Sequence, residues 1–98
     1  MRFRLDDPAL ERLYATGTDR ELASETILGF FGLLETVNAA RDIHDLRALV
    51  SVDLREDDNG VLTMLVDGNF RLSATIEEGA DESVLRIDRM TVGAPGHG

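Results

Sequence analysis

The sequence predicts an α+β domain in which two N-terminal helices pack on a curved, mainly antiparallel sheet of four to five strands. Three observations carry this expectation. Apolar residues recur at helical spacing between Leu10 and Val37. After Leu49 the apolar period drops to two, as in half-buried strands. Two turn clusters, Asp57 to Gly60 and Asp67-Gly68, then divide the second half into short segments of strand length.

Arg2 to Leu5 alternates as a short first strand. Asp7-Pro8 reads as an N-cap followed by proline at the first helical position, where a missing N–H costs nothing. Leu10, Leu13 and Tyr14 then form one apolar face, and Gly17 ends this helix. Ser24 is the expected N-cap of a longer helix whose stripe runs through Ile27, Phe30, Phe31, Leu34, Val37 and Asn38, widened by Leu28 and Leu33. Gly29 and Gly32 lie inside it, each at about 1 kcal/mol relative to alanine, which points to close packing. Asp42 to Leu49 reads as a further helical turn with Ile43, Leu46 and Leu49 inward.

Val50, Val52 and Leu54 alternate as a strand, and Asn59-Gly60 predicts a hairpin turn. Val61 to Val66 is apolar nearly throughout, predicting a central strand covered on both faces. Asp67-Gly68 predicts a second two-residue hairpin turn, after which Phe70, Leu72, Ala74 and Ile76 alternate with polar residues. An acidic turn from Glu78 to Ser83 leads into a last strand through Val84, Leu85 and Ile87 to Met90. The domain is expected over residues 1–92, with 93–98 a glycine-rich flexible tail.

Composition narrows the function. The chain of 98 residues fits one domain, and 43% hydrophobic residues supply one core. No cysteine is present, so a disulfide framework and a thiolate metal site are excluded. The first residues lack the apolar core of a secretory signal, and no apolar run approaches the ~20 residues that span a bilayer. A cytoplasmic location without membrane association is therefore expected. Nineteen carboxylates face ten basic residues, all arginine, for a net charge of -9. Such a chain is repelled by nucleic acid unless its arginines are segregated to one face.

Several segments are similar to a known family. Leu10 to Gly17 followed by Arg20 and Leu22, Leu34 to Arg41, and Asp45-Leu46-Arg47 resemble successive parts of HigB/RelE-type toxins. Val66-Asp67-Gly68-Asn69-Phe70-Arg71-Leu72 resembles a strand motif of that family in which Gly-Asn, an aromatic, arginine and an aliphatic residue follow in order. The resemblance spans about Phe3 to Met90. It implies a RelE-like fold and a toxin of a type II toxin–antitoxin pair, with a cognate antitoxin as partner. It also implies a metal-independent, cofactor-free endoribonuclease acting on mRNA in the ribosome; relatives of the same fold poison DNA gyrase.

The implied site is Arg71, Arg55, Asp88 and Arg89. Arg71 matches the arginine after the aromatic and would clamp a phosphate bidentately, against a plain alternative of a strand arginine paired with a neighbouring carboxylate. Arg55 falls at a family lysine, but Glu56 replaces the following glycine, and Asp53, Asp57 and Asp58 crowd it. Val52 stands where some members carry histidine. Ile87-Asp88-Arg89-Met90 stands where members end in Asp-Tyr-His, so Asp88 is kept while Arg89 and Met90 replace the proton-transfer groups. His44 reads as a helix surface residue and His97 as part of the tail. Each lost general acid or base costs about 100-fold to 10,000-fold in rate, so cleavage is expected to be weak. The alternative is a catalytically inactive acidic protein of the same fold that binds a basic protein partner or mimics nucleic acid.

Overall fold

The structure is a computed structural model and describes residues 1–93. The chain runs β1 (Arg2–Leu5), α1 (Pro8–Thr16), α2 (Ser24–Ala39), α3 (Ile43–Ala48), β2 (Arg55–Glu56), β3 (Leu62–Leu65), β4 (Phe70–Glu78) and β5 (Ser83–Val92). The α+β expectation holds, with three helices and one five-stranded sheet in the order β1-β5-β4-β3-β2. The sheet is mixed: β2 to β5 form an antiparallel meander, and β1 lies parallel to β5. Parallel neighbours need a long crossover, here the whole helical layer together with β2 to β4.

Local chemistry sets the helix ends. Asp7 accepts from the Ala9 amide at 2.9 Å, Pro8 opens α1, and Gly17 closes it at φ 72° with its N–H on the Leu13 carbonyl. The α2 cap is Ala23 rather than Ser24, which is the first helical residue, and no side chain caps this end. Phe30, Leu33, Leu34 and Val37 are buried, whereas Leu28 is 73% exposed and Asn38 is on the surface, so the buried stripe is narrower than its apolar content suggests. A Cβ at Gly29 would collide with the Val66 carbonyl, which explains that glycine by close approach of helix and chain. Nothing surrounds Gly32 to explain it. Asp42 caps α3 through the His44 and Asp45 amides; Leu46 is buried, but Leu49 points outward.

The segment from Val50 to Leu54 departs most from expectation. Its alternation predicts a strand, yet the Val52 and Asp53 amides turn back onto the Leu49 and Val50 carbonyls at 3.1 Å. Asp53 takes a left-handed φ of 46°, leaving Val50 93% exposed and β2 only two residues long. Both turns are longer than two residues. Glu56 pairs with Leu62, so five residues connect β2 to β3, with Asp57 accepting from the Asn59 and Val61 amides. Val66 closes on Phe70, so Asp67, Gly68 and Asn69 form the next connection, with Asp67 accepting from the Asn69 and Phe70 amides. In β3, Leu62 and Met64 are buried while Thr63 and Leu65 are half-buried, so the strand is covered on one face rather than two.

The core is one layer between helices and sheet. Leu10, Leu13, Phe30, Leu33, Leu34, Val37 and Leu46 meet Leu5, Leu62, Met64, Leu72, Ala74, Leu85 and Ile87. All three helices thus cover the same face of the sheet. Gly93, expected to open the tail, is tied to the domain by its amide, which bonds the Asn69 carbonyl at 2.7 Å. Residues 94–98, including His97, lie outside the described residues. Among the described residues no helix is long and apolar enough to cross a membrane.

Candidate anion-binding face

Strand alternation sends every second side chain away from the helices, and the register decides which of these meet. Arg55 pairs with Thr63, Thr63 with Ser73, and Ser73 with Arg89. These four residues form one row across β2, β3, β4 and β5 on the helix-free face. Three strand spacings of ~4.8 Å put the two arginine backbones about 14 Å apart, with two hydroxyls between them. Thr75, Arg86 and Arg4 make a parallel row on one side, and Leu65, Arg71 and Thr91 a row on the other. A register shift between Ser73 and Ala74 leaves Asp88 as the extra residue of β5, beside Arg89. Arg2 completes a set of six arginines, 2, 4, 55, 71, 86 and 89, out of ten in the chain.

The four expected site residues are therefore brought to one face, but not in equal states. Arg71 is buried. Its Nε donates to the Thr63 hydroxyl at 3.0 Å, its Nη1 to the Asp53 carboxylate at 3.0 Å, and its Nη2 to the Thr63 and Asp53 carbonyls. A guanidinium has five N–H donors, and four are committed to the protein itself. Arg71 is thus a clasp between β3, β4 and the segment before β2, not an open phosphate clamp. Arg55 is half exposed and pairs with the same Asp53 oxygen at 3.0 Å. Asp88 pairs with Arg86 at 3.1 Å, and Arg86 also reaches Asp6 at 3.3 Å. Arg89 is exposed and has no ion-pair partner among the described residues.

The electrostatics follow from these pairs. The Arg71 hydrogen bond, helped by the nearby Arg55 charge, holds the Asp53 carboxyl below its ordinary value against the opposing effect of partial burial. Exposed ion pairs are worth ~0–1 kcal/mol, so Arg4, Arg55 and Arg86 exchange partners at small cost. Proton transfer has no comparable basis. Among the described residues the face carries no histidine or tyrosine: His44 lies on α3, Tyr14 on α1 against Phe3 and Phe31, and Val52 is core. Nor does any cluster of three or more acidic or imidazole groups among the described residues have the spacing of a metal site.

Thr63, Ser73, Arg4 and Arg86 join the face without having been singled out from the sequence. Arg4 and Ser73 sit at alternating polar positions visible in the sequence; their adjacency to Arg86 and Arg89 depends on long-range register. No family model matches the chain, and no curated protein matches it significantly.

Proposed function

We propose that this is a RelE-like toxin-type protein that binds single-stranded RNA through phosphates on its helix-free sheet face and cleaves it slowly or not at all. The row Arg55–Thr63–Ser73–Arg89 carries this reading, because it presents two exchangeable guanidinium groups and two hydroxyls on one open surface. Guanidinium groups suit phosphate through their planar fork. Missing acid and base groups favour binding over rapid cleavage.

The net charge of -9 opposes such binding at long range, so the reading rests on local contacts at the sheet face and on low salt. Residues 7–49, the layer behind the sheet, hold eight carboxylates and four arginines, and the remaining residues hold eleven carboxylates and six arginines. The acidic turns at Asp57-Asp58 and Glu78 to Glu82 lie at the same end of the sheet, which disfavours approach from that end. Toxicity would then arise from occupying ribosome-bound mRNA, with an antitoxin protein as cognate partner.

The test is fluorescence anisotropy with a labelled single-stranded oligoribonucleotide over a salt series, with a gel to follow cleavage. Wild type should bind at low salt, and Arg55→Ala/Arg89→Ala should flatten the log–log salt slope by about 1.4, two phosphate contacts at ~0.7 each. Absence of binding by wild type at low salt would refute the reading. A second reading, an inactive scaffold for a basic protein partner, is favoured by the acidic helical layer and by exposed Leu28 and half-exposed Tyr14 on that side. Capture of a basic protein that survives Arg55→Ala/Arg89→Ala, with no RNA binding, would establish it instead.

A further inference from the structure

We propose that Asp53 is a built-in competitor for the RNA phosphate at Arg55, held in place by Arg71, so that it sets the affinity of the face. The inference rests on the phosphate-binding reading above and names the residue that regulates it.

One Asp53 carboxylate oxygen accepts from Arg71 and pairs with Arg55, each at 3.0 Å. The two arginines are not equivalent. Arg71 has an 11% exposed side chain and is further bonded to Thr63 and to the Asp53 carbonyl, whereas Arg55 is 51% exposed and rests on Asp53 alone. When a phosphate draws Arg55 away, Asp53 keeps its buried partner and is not left uncompensated. Leaving Asp53 therefore breaks one exposed pair, while displacing Arg71 would break a buried network. Asp53 also occupies the left-handed backbone region at φ 46°, which orients both its carbonyl and its carboxylate toward Arg71. Aspartate, asparagine and glycine tolerate that conformation, so the position accepts uncharged replacements without a backbone penalty.

The experiment is oligoribonucleotide anisotropy on Asp53→Asn, Asp53→Gly, Arg55→Ala and Asp53→Asn/Arg55→Ala, with folding checked by thermal melting. Asp53→Asn, which keeps a side-chain oxygen for Arg71 Nη1, should tighten binding about 3- to 10-fold, and Asp53→Gly, which removes the side chain, should do likewise where its melt shows it folded. The gain should shrink to less than about 2-fold in the Arg55→Ala background, since the competition is for that guanidinium. Equal gains in both backgrounds would overturn the inference, because they would reflect net charge alone. Unchanged or weaker binding by both folded Asp53 variants would overturn it too, while wild-type binding left the RNA reading intact. If no protein in the set bound RNA at low salt, both proposals would fall together.

Discussion

The two layers of this molecule differ in what their charges do. On the helical layer, Glu11, Glu25 and Glu35 are exposed along α1 and α2 with few arginines near them, the pattern of a solvated surface. On the free sheet face, arginines come in rows set by register, and each carboxylate there, Asp53, Glu77 or Asp88, is tied to an arginine. Net charge averages over the two and describes neither. A second contrast lies inside the sheet face. Arg71 and Arg89 sit on neighbouring strands, yet one is a structural clasp and the other is unpaired among the described residues. An arginine's identity does not say which role it has; its burial and partners do.

The largest effect that tests this contrast is on stability. Arg71→Ala should destabilise the fold by about 2–4 kcal/mol, because several charge-assisted bonds vanish and their acceptors lose a partner. Denaturant titration checks this, and Arg89→Ala in the same assay should stay within about 0.5 kcal/mol of wild type. Equal losses would erase the distinction between clasp and binding residue.

Two glycines separate the buried and exposed sides of α2. Gly29→Ala should cost about 1–3 kcal/mol, since its methyl would meet the Val66 carbonyl. Gly32→Ala meets open space and should gain about 0.5–1 kcal/mol by thermal melting. Opposite signs are the expected outcome; two losses would mean that helix and sheet approach more closely at Gly32 than the structure has them.

Charge changes on the two layers should separate in binding. Glu11→Gln/Glu25→Gln/Glu35→Gln should leave RNA affinity within about 2-fold at ~0.1 M salt, because these groups lie behind the sheet and are screened. Affinity rising as steeply as in Asp53→Asn would show that long-range charge, not the local row, controls binding.

The smallest effect is that of pH. The Thr26 hydroxyl and the Asn69 and Phe70 amides hold the Asp67 carboxyl below its ordinary value despite the opposing effect of burial, and Asp53 is held down by Arg71 and Arg55. A depressed folded-state pKa stabilises the fold above the unfolded value of ~3.9 and loses that stability as pH falls through the folded value. Thermal melting temperature should therefore be flat near neutrality and decline below about pH 4. The Asp67→Asn variant should melt lower at neutral pH and show a shallower acid decline.

Much of the fold was legible because it rests on local chemistry. Asp7-Pro8 and Gly17 bound α1, and the alternation of β4 placed Leu72 and Ala74 in the core as expected. The Val50 to Leu54 segment was illegible because its alternation fits a strand equally well until Asp53 turns left-handed. That single turn also decided the fate of Arg71, whose burial on the helix-free face needs the Asp53 carbonyl as an acceptor. The candidate face was partly legible: Arg55, Arg71, Asp88 and Arg89 do share a surface. Their row, however, is a product of the pairing of β2 to β5, and the parallel β1 that brings Arg4 beside Arg86 is a contact between chain ends.

The most direct test of the central claim is amide chemical-shift mapping of the isotopically labelled protein during titration with a short single-stranded oligoribonucleotide. Binding on the sheet face predicts shifts concentrated at Arg55, Thr63, Ser73 and Arg89, with α1 and α2 unmoved. Shifts confined to the helical layer, or none at low salt, would contradict the account.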